Sequence, residues 1–390
     1  MVAKNLFENT EVAFQLKTDS QLERSYFLFK MINNEPLVKI GTALTKAALG
    51  LHLPVEGLIR STVFDHFCGG VNEEDCIPVI QKMYEKGVYS VLDYSVEGKE
   101  EESVFEATTE RVMGLVDFAT RNKPISFAVF KPTGFGRFEI FRKITENETL
   151  NSFEQEEWLK IKERFDRVSK KCFDNNILLL IDAEESWMQK AADQLTEELM
   201  QRYNKERPIV WNTLQCYRHD RLAYLKSVHE KAKKEGFKLG FKIVRGAYME
   251  KENERAKEKG YPTPICPDKK ATDENFDNIL TYIIEHIEDI HLFAGTHNEN
   301  STLKALELME KKGIANNDNR VWFGQLYGMS DHISFNLAKE GYNTAKYLPF
   351  GPVKDVMPYL IRRAEENTSV AGQTSRELNL IKTEKARRGI

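Results

Sequence analysis

From residue 88 onward the chain falls into a rhythm that few folds can accommodate. Short runs rich in β-branched and aromatic residues alternate with longer segments of helical length. The runs are Tyr89–Tyr94, Ile125–Phe130, Ile177–Ile181, Ile209–Leu214, Leu239–Val244, Ile290–Ala294, Arg320–Phe323 and Asn343–Tyr347. Near-continuous apolar runs mark strands covered on both faces, and strands joined through helices lie parallel. Eight such units predict an α/β architecture, the (β/α)8 TIM-like barrel. A doubly wound open sheet is the alternative. However, no Gly-x-Gly-x-x-Gly turn follows the first run, and there is no P-loop.

Upstream, helices are expected over Leu22–Ile32, Leu37–Leu51, Val55–Phe67 and Asp75–Lys86, interrupted at Pro54 and at Gly69-Gly70. The tail from Thr368 has mixed charge and reads as a partly helical cover or a frayed end. The chain thus divides into a helical arm over 1–87, a barrel over 88–367 and a tail over 368–390.

Lys and Arg number 56 against 60 Asp and Glu, a net charge of −4, so bulk attraction to nucleic acid is not expected. The five cysteines form no Cys-x-x-Cys pair and read as reduced thiols of a cytosolic protein. The first residues have no apolar signal core, and Ile177–Ile181 is far too short to span a bilayer. A cytoplasmic protein is expected, with at most peripheral contact on the inner face of the plasma membrane.

Barrel active sites lie at the C-terminal ends of the strands. Here those ends carry Glu97, Lys131, Asp182 with Glu184 and Glu185, Gln215 and Tyr217, Lys242 with Arg245–Tyr248, Thr296–Asn298, Gln325 and Tyr347. Each has a bland explanation alone; Asp182 or Asn298 can cap the next helix. Eight strands ending this way point to a site. Cations gather there at Lys131, Lys242 and Arg245, joined by Arg362 and Arg363 further along the chain, which suits an anionic substrate or cofactor. Gly246-Ala247 lets a planar group or phosphate approach the backbone, and the Gln215 carboxamide can meet a pyrimidine-like edge. The histidines are dispersed without metal-ligand spacing, and no Gly-x-Ser-x-Gly elbow occurs. That leaves an organic cofactor, or Lys131 or Lys242, to carry the chemistry.

One further stretch gathers charge, Tyr359-Leu-Ile-Arg362-Arg363-Ala-Glu-Glu366-Asn367. On a helix Tyr359, Arg362, Arg363 and Glu366 share a face, and paired guanidiniums match a carboxylate or phosphate bidentately. A solvated charged face is the alternative.

Together with Lys242-Ile-Val-Arg-Gly-Ala-Tyr248, Asp182-Ala-Glu-Glu185 and Thr296-His-Asn298, this stretch resembles proline dehydrogenase, an FAD-dependent family of proline catabolism. The resemblance runs from about Tyr89 to Asn367. Trp322–Met329 and Tyr347–Pro352 are similar to the stand-alone, mitochondrial-type branch. Bifunctional bacterial members have Arg at the position of Lys242 and Trp at that of Met249.

The resemblance implies oxidation of L-proline to 1-pyrroline-5-carboxylate, with electrons passed from FAD to a quinone. It implies that Arg362 and Arg363 bind the proline carboxylate, that Lys131 and Asp182 line the pocket, and that Tyr248, Tyr347 and Tyr359 surround the ring. Tyr347 would favour proline over hydroxyproline, and Glu97 would pair with Arg362 when the site closes. It implies FAD contacts from Ala183, Gln215, Lys242, Val244, Arg245, Gly246, Ala247, Thr296, His297, Asn298, Gln325 and Glu366, with Asp182 and Lys242 nearest the reaction. It further implies a pyrroline-5-carboxylate dehydrogenase on a separate chain and a weak membrane encounter for quinone reduction. A lyase or aldolase using Lys131 or Lys242 as a Schiff-base amine, and a non-catalytic anion-binding barrel, are the alternatives.

Overall fold

A computed structural model describes residues 5–32, 34, 36, 41, 57, 60–94, 100–362 and 373–390. The strands are β1 (Val88–Tyr94), β2 (Ile125–Phe130), β3 (Leu178–Ile181), β4 (Val210–Gln215), β5 (Leu239–Val244), β6 (Ile290–Gly295), β7 (Val321–Leu326) and β8 (Thr344–Phe350). They close a barrel in sequential order. Parallel register places Val91 beside Tyr347, Phe130 beside Ile181, Gln215 beside Val244 and Lys242 beside Phe293. The expected (β/α)8 fold is the observed one. β7 and β8 each run three residues past their expected ends, because Gly324 and Pro349 look like breakers in isolation. Pro349 still accepts a hydrogen bond through its carbonyl, from Gly69 N at 2.9 Å.

The chain forms two compact units, Gly98–Phe323 and Ala3–Glu97 with Gly324–Ile390. In the first, the helices have local signals at both ends. Asn151 and Glu154 form a reciprocal capping box that starts helix Ser152–Asn175. Asp268 caps Lys269–Glu285 by accepting from Ala271 N at 2.7 Å, and Gly236, Gly260 and Gly313 end their helices at positive φ. Phe127 of β2 meets the rings of Trp211 on β4, Phe293 on β6 and Trp322 on β7 edge-on, at 6.1, 5.2 and 5.0 Å. Strands that are not neighbours can share one ring only through the barrel interior, so this cluster is core. Gly240 admits the Trp211 indole, since a Cβ there would lie 2.5 Å from the ring.

In the second unit helix Glu73–Tyr84 is capped by Asn72, which accepts from Asp75 N at 2.8 Å, and packs on β1. The last residues are an ordered cover, not a frayed end. Helix Gln373–Arg388 buries Leu378, Leu380 and Ile381 against Ala13, Phe14, Leu22 and Phe29. Its mixed charges find partners, Arg388 on Asp19 at 3.0 Å and Arg376 on Glu8 at 2.6 Å. Of the other expected helices, Leu22–Ile32 extends back to Asp19 and Asp75–Lys86 is Glu73–Tyr84. Leu37–Leu51 falls outside the described residues apart from position 41. The described part of Val55–Phe67 ends in a π-turn over Arg60–Phe64 and a short helix over Asp65–Phe67.

Candidate active site

The polar ends of β2 to β6 converge in the first unit. Lys242 projects from β5 with only 5% of its surface exposed, and its ammonium pairs with the Asp182 carboxylate just beyond β3. A charge this deep is tolerable only when paired. Lys131, directly after β2, is half-buried, and its ammonium has no hydrogen-bond or ion-pair partner among the described residues. Beside this loop, Glu184 is buried and accepts from Thr133 N at 2.9 Å and Thr133 Oγ1 at 2.7 Å. Desolvation nevertheless pushes its carboxyl up to about 7.

The turn after β5 is built to stay in place. Arg245 fans out to Asp273 at 2.7 Å, Thr296 Oγ1 at 2.7 Å and Ser301 Oγ at 3.0 Å, while its guanidinium lies over the Phe276 ring. Gly246 follows at φ +122°, and a Cβ there would lie 2.4 Å from the Tyr217 ring, so only glycine fits. β4 extends alongside this turn, with Cys216 N and Tyr217 N donating to the carbonyls of Val244 and Arg245 at 2.7 Å each. Gly246 and Ala247 are exposed and Tyr248 is half-buried. Thr296 is buried and accepts from Asn298 N at 3.1 Å, and His297 is half-buried. Asn298 caps the next helix by accepting from Ser301 N at 3.0 Å.

Three polar atoms at and just beyond the end of β4 are buried without a hydrogen-bond partner: Gln215 Oε1, Tyr217 OH and Arg218 Nη1. Native interiors rarely leave such groups unpaired. Arg218 belongs to no motif in the sequence, and its place directly behind Gln215-Cys216-Tyr217 is the only hint of a role. Its remaining nitrogens hold Asp220 at 3.1 and 2.7 Å, and Asp220 also accepts from Arg221. Arg221 donates to Asp193 at 2.9 Å, Asp193 accepts from Gln189 at 2.8 Å, and Gln189 accepts from Glu184 N at 2.8 Å. These arginines hold the Asp220 carboxyl well below the usual carboxylate range against the opposing effect of burial. A second link joins the β3 and β5 loops, for Glu252 accepts from Ser186 N and Oγ at 2.7 and 2.5 Å.

The second unit carries the other candidates. Gln325 lies within β7, buried, and accepts from Ser334 Oγ at 2.7 Å. Tyr347 is buried on β8, and Tyr359 is buried in a cluster with Phe64, Phe67, Val356 and Leu360. Arg362 is half-buried at the end of the helical segment 357–362. Glu97, Arg363 and Glu366 lie outside the described residues. Among the described residues no group of three or more His, Cys, Asp or Glu could hold a metal ion, and no helix is long and apolar enough to cross a membrane.

Residues 76–376 match the family model described as proline dehydrogenase. The chain is 31% identical over 333 residues to carbapenem antibiotics biosynthesis protein CarD of Pectobacterium carotovorum subsp. carotovorum, covering 85% of this chain and 86% of that one. It is 37% identical over 298 residues to human proline dehydrogenase 1, mitochondrial, covering 74% of this chain and 49% of the human protein. The fold is similar to that of proline utilization A (PutA) from Bdellovibrio bacteriovorus, solved after inactivation by N-propargylglycine, with a TM-score of 0.70 at 20% identity. That match covers 94% of this chain and 37% of the solved one, so the chain spans about half of the human relative and just over a third of this PutA. The match over most of the barrel shows that the chain belongs to the proline dehydrogenase family.

Proposed function

We propose that this chain oxidises L-proline to 1-pyrroline-5-carboxylate with FAD and passes the electrons to a quinone. Family membership supports an oxidoreductase acting on proline. The observation that best supports a flavin is the group of three unpaired buried polar atoms at the end of β4, beside a turn where glycine alone fits. Gln215 Oε1 would accept from the flavin ring edge, and the exposed backbone of Gly246-Ala247 would admit the cofactor closely. Arg245, Val244, Ala183, Thr296, His297, Asn298, Gln325 and Glu366 would complete its contacts. When bound, the flavin supplies the two-electron acceptor, and the protein supplies orientation and electrostatics.

The chain's own residues would do the positioning. Arg362 and Arg363 would fix the substrate carboxylate, and Glu97 would close over Arg362. Asp182, held by Lys242 through Oδ1, has Oδ2 to accept from the substrate amine, with Lys131 beside it. Tyr248, Tyr347 and Tyr359 would enclose the ring and exclude water. The five buried free cysteines are consistent with a reducing, cytoplasmic setting. Quinone reduction would need only a peripheral membrane encounter, and a pyrroline-5-carboxylate dehydrogenase on another chain would consume the product. The test is steady-state turnover of proline with a soluble quinone, trapping the cyclic imine with an aminobenzaldehyde. Imine formed in step with quinone reduction is expected. Neither product from a flavin-loaded protein would refute the assignment.

A further inference from the structure

We infer that Glu252 is a positioning residue for substrate binding, resting on the proline-oxidising reading above. Its helix, Met249–Lys259, directly follows the turn that carries Arg245–Tyr248. That helix buries only Glu252 and Ala256. Apolar packing therefore cannot fix where it sits, and polar contacts must. Glu252 makes the most deeply buried of them. It is fully buried, with its two oxygens taken by the backbone and hydroxyl of Ser186, at 2.7 and 2.5 Å. Lys251 on Glu185 at 3.1 Å and Arg255 on Glu146 at 2.7 Å are outer contacts of the same helix.

Ser186 is the first residue of helix Ser186–Tyr203, and the loop leading into it is Asp182-Ala183-Glu184-Glu185. Glu252 thus holds the loop bearing Asp182 against the turn bearing Tyr248. Burying a carboxylate is costly, and well-packed apolar residues are often as stable in such a place, so a buried acid points to a demand for position rather than for stability. The proposed flavin side of the turn is anchored separately, by Arg245 on Asp273, Thr296 and Ser301. Loss of the Glu252 contact should therefore disturb the groups around the substrate and leave the cofactor bound.

The experiment compares Glu252→Gln, Ser186→Ala and the double variant with the unaltered enzyme, measuring flavin content, KM for proline and kcat per flavin. Glu252→Gln keeps length and shape but removes the charge, and it offers Ser186 Oγ an amide donor where the carboxylate offered an acceptor. KM is expected to rise about tenfold, the order for one lost charge-assisted bond, with flavin content and kcat nearly unchanged. Ser186→Ala should raise KM in the same direction, and the double variant should fall short of the product of the two effects, because both remove one contact. Wild-type KM in both single variants, or effects that multiply, would overturn the role even if melting temperatures drop. Should Glu252→Gln not fold, Ser186→Ala decides, since it leaves the carboxylate in place. An unaltered enzyme that does not oxidise proline would remove the underlying reading, and this role with it. Normal turnover in the unaltered enzyme with unmoved variants would remove this role alone.

Discussion

The two ends of the strands in the first unit use their polar groups in opposite ways. At the N-terminal end every indole is satisfied locally, Trp211 donating to Pro208 O at 3.2 Å and Trp322 to Asn319 O at 3.1 Å. Asn204 there serves Ile209 N and Val210 N at 2.9 Å each and donates to Val210 O. A cleft of about 560 Å³ opens at this end, bordered by Lys123, Arg207 and Arg320, the last tied to Asp318 and Glu288. At the C-terminal end a lysine and an aspartate are paired deep in the strand layer, and three buried polar atoms have no partner. One end is finished by its own contacts, whereas the other holds buried donors and acceptors that the described residues do not complete. In a barrel that asymmetry separates stability from chemistry.

Mutations at the two ends should therefore part company. Phe127→Ala removes the ring on which Trp211, Phe293 and Trp322 converge and should lower stability by about 3–5 kcal/mol, read by denaturant unfolding, with turnover per bound flavin kept. A fall in per-flavin turnover with stability intact would blur the division. Lys242→Met should do the reverse at the reaction, lowering kcat/KM by roughly 100-fold, the scale for losing one preorganised charge. Kinetics equal to the parent would exclude Lys242 from the chemistry.

Glu184 sharpens the contrast through pH. Its folded pKa, about 7, lies above the 4.5 of the free group, so the folded state binds the extra proton between those values. Stability from this group is full below about 4.5 and is lost as pH rises through 7. Glu184→Gln should match the parent near pH 4 and exceed it by roughly 1–3 kcal/mol near pH 8. Thermal unfolding at both values checks this, and a pH-independent difference would count against it. Arg207→Ala, at the exposed edge of the opposite end, should change stability by less than about 0.5 kcal/mol and leave turnover alone.

The same asymmetry decides how much was legible in the sequence. Strands buried on both faces announce themselves as apolar runs, so β2 and β5 begin and end where the runs do. Asp182, Lys242 and Arg245 stand out because they interrupt or terminate such runs. Glu252 does not. It lies in Met249-Glu-Lys-Glu-Asn-Glu-Arg255, where Glu250 and Glu254 look the same, and only the placement of the helix turns one of the three inward. Arg218 is hidden for a similar reason, in a turn whose burial comes from the neighbouring β5 turn and the 265 region. The tail is a third case: its apolar residues are few, and their face appears only against helix Asp19–Ile32. Patterns within one element can be read from sequence, whereas polar contacts between elements need the fold.

The most direct test is the visible spectrum of the purified protein, recorded before and after anaerobic addition of proline. Flavin bands that bleach with proline, in a protein carrying about one flavin per chain, are the predicted result. A protein that cannot be loaded with FAD, or whose bound flavin stays oxidised under proline, would contradict the assignment of the C-terminal end of the barrel to proline oxidation.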